Sequence, residues 1–344
     1  MPTASARKSE EVNGKPSAVN RGNHGDQPPL AAHRSSILQN RATAAYLGLA
    51  LGDALGATVE FMTPREIAGQ HGLHARIRGG GWLRLKAGQV TDDTTMALAL
   101  GRSILEAGRV DARAAARAFD AWMRAKPVDI GNTVRRGIVE YRRTDRPERE
   151  PSEHDAGNGA AMRVLPVALA TLGMAEEAVR EQCRAQAHVT HHNPLSDAAT
   201  ECLALMVQDA LRGLAKWELL RRHAESLIAR HPLFEYRRCR RENPSGYVVE
   251  TVQAVFQALA DTGNFRDCLV DVVNRGGDAD TTGAIAGMLA GALYGMESLP
   301  ADWLADLDQD VRAACARQAG DLLALHGHRA PMTHQAETPR GSLP

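Results

Sequence analysis

Aromatic residues make up only 4% of the chain, and its Val, Ile and Thr form only short runs, so strands have little to be built from. Net charge is absent, with 41 basic against 41 acidic residues, and bulk electrostatics therefore select neither nucleic acid nor an anionic membrane. No window reaches the ~18–20 consecutive apolar residues that cross a bilayer, and the N-terminus has no apolar signal core. Cysteine is scarce too. Cys183, Cys202, Cys239, Cys268 and Cys315 show no CxxC spacing, which argues against a zinc knuckle and a disulfide framework and fits a reducing cytoplasm. What is abundant is Ala, Leu, Arg and Gly, and 44% hydrophobic content suffices for a sizeable core. These proportions predict an all-α, soluble protein.

Residues 1–38 are rich in Gly, Pro, Ser and charge and cannot offset the entropy of ordering, so they are expected to be a disordered tail, as is 327–344. The span 39–326 has no obvious linker and is expected to be a single domain. Its segment RRTDRPEREPSEHDAGNG, 142–159, reads as a long surface loop. Trp217, Leu220, Ala224, Leu227 and Ile228 keep helical spacing on one apolar face, as do Val248, Val252, Val255, Phe256 and Leu259. Gly48, Gly52 and Gly56 recur every fourth residue, and so do Gly283, Gly287, Gly291 and Gly295. Each costs about 1 kcal/mol in a helix relative to alanine. The compensating gain is close backbone approach, which predicts two deep helices packed against each other.

Two oxygen-rich clusters stand at the mouths of apolar helical segments. TDDTT places Thr91, Asp92 and Asp93 ahead of Met96, Leu100 and Ile104; RGGDADTTGAIAG places Asp278, Asp280, Thr281 and Thr282 ahead of the second glycine stripe. Helix capping accounts for one oxygen in each. Adjacent buried carboxylates repel and need a cation or protons to coexist. Carboxylate and hydroxyl oxygens are hard ligands suited to magnesium, manganese or calcium, and two acidic pairs suit two ions. Glu60, after the first glycine stripe, can reach the same point.

At these residues the sequence resembles the ADP-ribosylglycohydrolase family, in particular its dinitrogenase-reductase-activating branch. The motifs run in order from about Arg41 to Gly295: GLALGDALGATVEFMTPREIA, GGGWLRLKAGQVTDDTTMALALGR, KPVDIGNTVRRGI, DAGNGAAMRVLPVALATLG, HHNP, SGYVVETVQAVFQAL and NRGGDADTTGAIAGMLAGALYG. The resemblance implies an orthogonal helical bundle with two Mn2+, Mg2+ being the alternative, that removes ADP-ribose from a modified arginine. Thr91, Asp92, Asp93, Asp278, Asp280 and Thr281 then correspond to metal ligands, and Glu60, Asp92 and Asp129 to the catalytic group. Asp129 either handles a proton or holds the guanidinium.

Further expectations concern the substrate. Asn132 and the loop Gly157, Asn158 and Gly159 are candidate contacts, the glycines offering backbone N–H groups to a diphosphate ahead of a helix that Pro166 must delay or kink. Tyr247 is a candidate for stacking on adenine or ribose, and His191 for a place near the adenosine. The run YRRCRREN, 236–243, reads as a solvated face able to meet an acidic protein. The implied target is ADP-ribosylated dinitrogenase reductase, with a PII-type signalling protein as a further partner able to draw a cytoplasmic enzyme to the membrane. Serine-linked ADP-ribose, O-acetyl-ADP-ribose or a nucleic-acid end are alternative substrates. A non-catalytic ADP-ribose binder is the third reading, and the intact acidic residues argue against it.

Overall fold

The computed structural model describes residues 30–327. Among them every regular element is helical, and ladder contacts are confined to the isolated bridges Gly80↔Leu85 and Gly157↔Tyr247. The first half comprises α1 (Leu30–Gly56), α2 (Pro64–His71), α3 (Asp92–Ala107), α4 (Ala112–Arg124), α5 (Asn132–Thr144) and α6 (Leu165–Ala170). The second comprises α7 (Glu176–Ala187), α8 (Pro194–Leu211), α9 (Lys216–Leu219), α10 (Glu225–Arg230), α11 (Val248–Asp261), α12 (Phe265–Val273), α13 (Ala279–Tyr294), α14 (Ala301–Asp306) and α15 (Gln309–Gly327). No described helix is long and apolar enough to cross a membrane.

The centre of the bundle is the pair α1 and α13, joined along their glycine stripes. A Cβ on Gly48 would overlap the carbonyl oxygen of Gly287, one on Gly52 that of Gly283, and the relation is reciprocal. The expected close approach is therefore realised, backbone against backbone. It puts the C-terminal end of α1 beside the N-terminal end of α13, since a Cβ at Gly56 would meet Ala279. Helix α3 presents buried Met96, Leu100 and Ile104 to the core, and α11 buries Val248, Val252, Val255, Phe256 and Leu259.

Local signals set the boundaries. Thr63 and Glu66 form a capping box with Pro64 in the first turn of α2, and α3 stops at Gly108, whose φ is 67°. Three expectations are corrected. Helix α1 starts at Leu30, so the part of the expected tail from 30 to 38 is helical, while the segments before 30 and after 327 lie outside the described residues. Trp217 is 63% exposed instead of sharing the buried face of Leu220, Ala224 and Leu227. A π turn at Leu220–Ala224 breaks the 3.6-residue register between them. The expected loop at 142–159 begins only after α5 ends at Thr144, and Arg149 ties it down through Glu140, Asp155 and the Thr190 carbonyl.

Candidate metal centre and active cleft

Helix α3 is capped from another element. Thr91 and Asp278 hold the N-cap positions of α3 and α13, yet neither side chain makes a capping bond. Asp53, buried in α1, accepts instead from the backbone N–H of Thr91 at 2.9 Å and of Thr94 at 3.1 Å, and from the hydroxyls of both. This satisfies N–H groups that a helix start leaves open and frees Thr91, Asp92 and Asp93 for other partners. Asp53 was not among the residues singled out from sequence. Its signal was a lone carboxylate inside an apolar, glycine-striped helix.

The freed groups converge. Thr91 Oγ1 lies 3.3 Å from Asp93 Oδ2 and 3.4 Å from Asp280 Oδ2, and Thr281 Oγ1 lies 3.3 Å from the same Asp93 oxygen. Carboxylate oxygens of Glu60, Asp278 and Asp280 all lie within 4.8 Å of one another. Glu60 is delivered by the turn before α13: Gly276 and Gly277 have φ of 71° and 66°, and Gly277 exchanges backbone hydrogen bonds with Met62 at 2.9 Å and Phe61 at 2.7 Å. Only a residue without Cβ fits there, since a side chain on Gly276 would overlap the Met62 carbonyl. Trp82 donates its indole N–H to Glu60 Oε2 at 2.6 Å, Gly131 its backbone N–H to Asp92 at 3.3 Å, and Asn158 its amide to Asp278 at 2.6 Å.

Electrostatically the cluster is poised for a cation. Burial first, then neighbouring carboxylates, push Asp92 up to about 7. Burial, followed by Asp278, Asp129 and Asp92, takes Glu60 to about 8 against the opposing Trp82 bond. Burial, then Asp53 and Asp92, hold Asp93 well above the ordinary range, and burial, then Glu60 and Asp93, do the same for Asp280. Asp93 Oδ1 is buried with no hydrogen-bond partner. An all-oxygen donor set with an unmet buried carboxylate oxygen fits a hard divalent cation.

The acidic group ends a cleft of about 520 Å³, a volume typical of small-molecule sites. Asp129, Asn132, Gly157, Asn158, Gly159 and His191 line it together with Glu60, Asp92, Asp278, Asp280 and Thr281. Thr91 and Asp93 lie behind that wall, and Tyr247, 37% exposed, contributes its backbone bridge to Gly157 without lining the cleft. Helix α6 begins only at Leu165 with Pro166 in its first turn, so the glycine loop is followed by a turn and no helix end stands at Gly159. A chain of hydrogen bonds fixes His191. Buried Arg163 donates to Thr190 Oγ1 at 2.7 Å, and the same hydroxyl is hydrogen-bonded to His191 Nδ1 at 2.8 Å. The Nε2 atom faces Gly157 and Gly159, and burial plus nearby Arg163, Arg149 and Arg136 hold the ring neutral, well below the usual imidazole range.

Trp82 and Phe61, exposed by 52% and 64% and 5.4 Å apart, form a rim residue pair that sequence reading also missed. A second cleft of about 530 Å³, reaching Glu66 and His71, shares Glu60 and this pair.

The ADP-ribosylglycohydrolase family model matches residues 34–331. Over 290 residues the chain is 49% identical to the ADP-ribosyl-[dinitrogen reductase] glycohydrolase of Rhodospirillum rubrum, covering 84% of this chain and 98% of that protein. The ADP-ribosylarginine hydrolase Tri1 of Serratia proteamaculans is 33% identical over 317 residues, 88% of this chain and 83% of its own length. A solved structure described as an ADP-ribosylglycohydrolase-related protein complex superposes with a TM-score of 0.75 at 34% identity, covering 84% of this chain and 99% of that one.

Proposed function

The chain belongs to the ADP-ribosylglycohydrolase family, and from that premise we propose that it removes ADP-ribose from a modified arginine of dinitrogenase reductase. One observation carries the reading. Hydroxyl and carboxylate groups 189 residues apart, on Thr91 and Asp280, meet at the closed end of a cleft walled by Asn158 and His191. The relative at 49% identity is named for ADP-ribosylated dinitrogen reductase, and the one at 33% for ADP-ribosylarginine.

The bond to be broken joins the anomeric carbon of ribose to a guanidine nitrogen. Water supplies hydroxide to the carbon and a proton to the guanidine, giving ADP-ribose and unmodified arginine, while positive charge builds on the ring as the bond lengthens. Thr91, Asp92, Asp93, Asp278, Asp280 and Thr281, with Glu60 beside them, fit two Mn2+, with Mg2+ as the alternative. When bound, such ions supply Lewis acidity toward the vicinal ribose hydroxyls and lower the pKa of water.

The chain's own residues do the rest. Half-buried Asp129, which lines the same cleft as Glu60, holds the leaving guanidinium through paired hydrogen bonds or takes up its proton. His191 presents its Nε2, held in place through Thr190, to the ligand beside the Gly157 and Gly159 backbone. Asn158 keeps the wall in register with Asp278. Asn132, exposed at the start of α5, is a further contact within the cleft, and Tyr247 at the start of α11 stands where a larger ligand extends beyond it.

Incubation with ADP-ribosylated dinitrogenase reductase and manganese tests the reading. Free ADP-ribose and arginine of unmodified mass are expected, and a chelator should stop the release. ADP-ribosylserine should survive the same treatment. Release from serine with none from arginine overturns the assignment.

A further inference from the structure

His188 and His192 lie on the loop that carries His191, but neither lines the cleft. Glu148, from the arginine-rich segment after α5, faces them, and one ligand atom from each of the three lies within 4.8 Å of the other two. Hydrogen bonds decide which nitrogen each ring presents. His188 Nε2 donates to the Asp197 carboxylate at 3.0 Å, leaving Nδ1 on the Glu148 side, 3.2 Å from Oε1. His192 Nδ1 donates to the Arg149 carbonyl, because a carbonyl can only accept, and its Nε2 keeps the lone pair. An imidazole whose second nitrogen is bonded to a carboxylate or a backbone carbonyl is the usual setting of a metal-ligating histidine.

The frame beside the three is firm. Arg149 N–H donates to the His188 carbonyl at 3.0 Å and Ser152 N–H to the His192 carbonyl at 2.9 Å, so segment and loop are joined twice directly after Glu148. A protonated His188 bridging Glu148 and Asp197 would account for that ring. It gives no reason for His192, stacked on it at 3.7 Å with 15° between the planes. Two imidazole nitrogens and one carboxylate oxygen form a borderline donor set, which selects zinc over manganese or magnesium.

We propose that Glu148, His188 and His192 bind one zinc-class divalent cation, separate from the acidic centre, that staples the 145–152 segment to the His191 loop. Water completes the coordination. The stacked rings must fan apart to aim both lone pairs at one ion, a reorganisation that weakens binding relative to a preformed site.

The test uses the full chain stripped of metal and saturated with Mn2+, so that the hard-oxygen centre is filled, then dialysed against Zn2+ with elemental analysis. One retained zinc per chain is expected. Glu148→Ala and His192→Ala should each weaken retention at least tenfold, and Asp93→Asn should not. Cobalt in place of zinc should give a visible absorption band that the first two variants abolish. Because Glu148 is 62% exposed, its variant folds and stays readable even if the histidine variant does not. No retained zinc, or zinc lost from Asp93→Asn and kept by Glu148→Ala, overturns the proposal. Neither result depends on which bond the enzyme cleaves.

Discussion

A carboxylate oxygen buried without a donor, as Asp93 Oδ1 is, costs about 1–3 kcal/mol and more when charged. Asp93→Asn removes the need to bury a charge or a bound proton there, at nearly constant shape. It is expected to raise the melting temperature of chelated protein while lowering manganese-dependent turnover at least a hundredfold; a chelated variant that melts lower would show that the carboxylate has a structural partner instead. Thr190 makes a complementary case. Thr190→Val keeps the volume but breaks the link from Arg163 to His191, freeing the imidazole to turn. ADP-ribose binding, read by titration calorimetry, should weaken about tenfold, the loss of ~1.4 kcal/mol expected for one oriented hydrogen bond, with manganese affinity unchanged. Most of these residues could be found by reading the chain, because Asp92, Asp93, Asp278 and Asp280 exceed what capping needs. Asp53 gave only the signal of a lone carboxylate in an apolar helix, and its role was not legible, since its partners lie 38 and 41 residues away and only packing brings them near.

At the scale of elements, the seam between α1 and α13 sets the distance between the two acidic clusters, because Asp53 of α1 holds the start of α3. It was legible because glycine at every fourth position is costly in a helix and needs a reason. Gly52→Ala would drive a methyl group into the Gly283 carbonyl. Backbone atoms cannot swing aside, so a loss of about 3 kcal/mol or more in urea unfolding is expected. Manganese affinity should fall with it, as the clusters are pushed apart. Gly69 of α2 is the control, because a Cβ there meets nothing within 4 Å. Gly69→Ala should stabilise by about 0.5–1 kcal/mol. Equal effects at the two positions would mean that the seam tolerates separation. The π turn at Leu220–Ala224 was not legible in the same way. Its residues fit an unbroken α register equally well, and only the exposed Trp217 betrays the extra residue in the turn.

For the whole molecule, the acidic centre and the bundle compete for protons. Burial raises the folded-state value to about 6 for Asp53, and burial with neighbouring carboxylates to about 7 for Asp92 and about 8 for Glu60, against ordinary carboxylates near 4 in the unfolded chain. Between those limits the ion-free native state binds more protons than the unfolded chain. Its stability therefore falls as pH rises from about 6 to 8 through these values. Divalent ions reverse the sign: they take the place of the protons, bind better as the carboxylates ionise, and add about 2.7 kcal/mol at a hundredfold excess over Kd. His191 titrates the other way. Held neutral when folded, it takes a proton on unfolding below its ordinary value near 6.5, so it removes stability toward acid in both forms. The gap in melting temperature between manganese-loaded and chelated protein should accordingly widen by several degrees from pH 6 to pH 8, mainly because the chelated form loses stability. A gap that stays constant across that range would mean that the carboxylates are ionised without a cation, and the centre would then owe its cohesion to something other than bound metal.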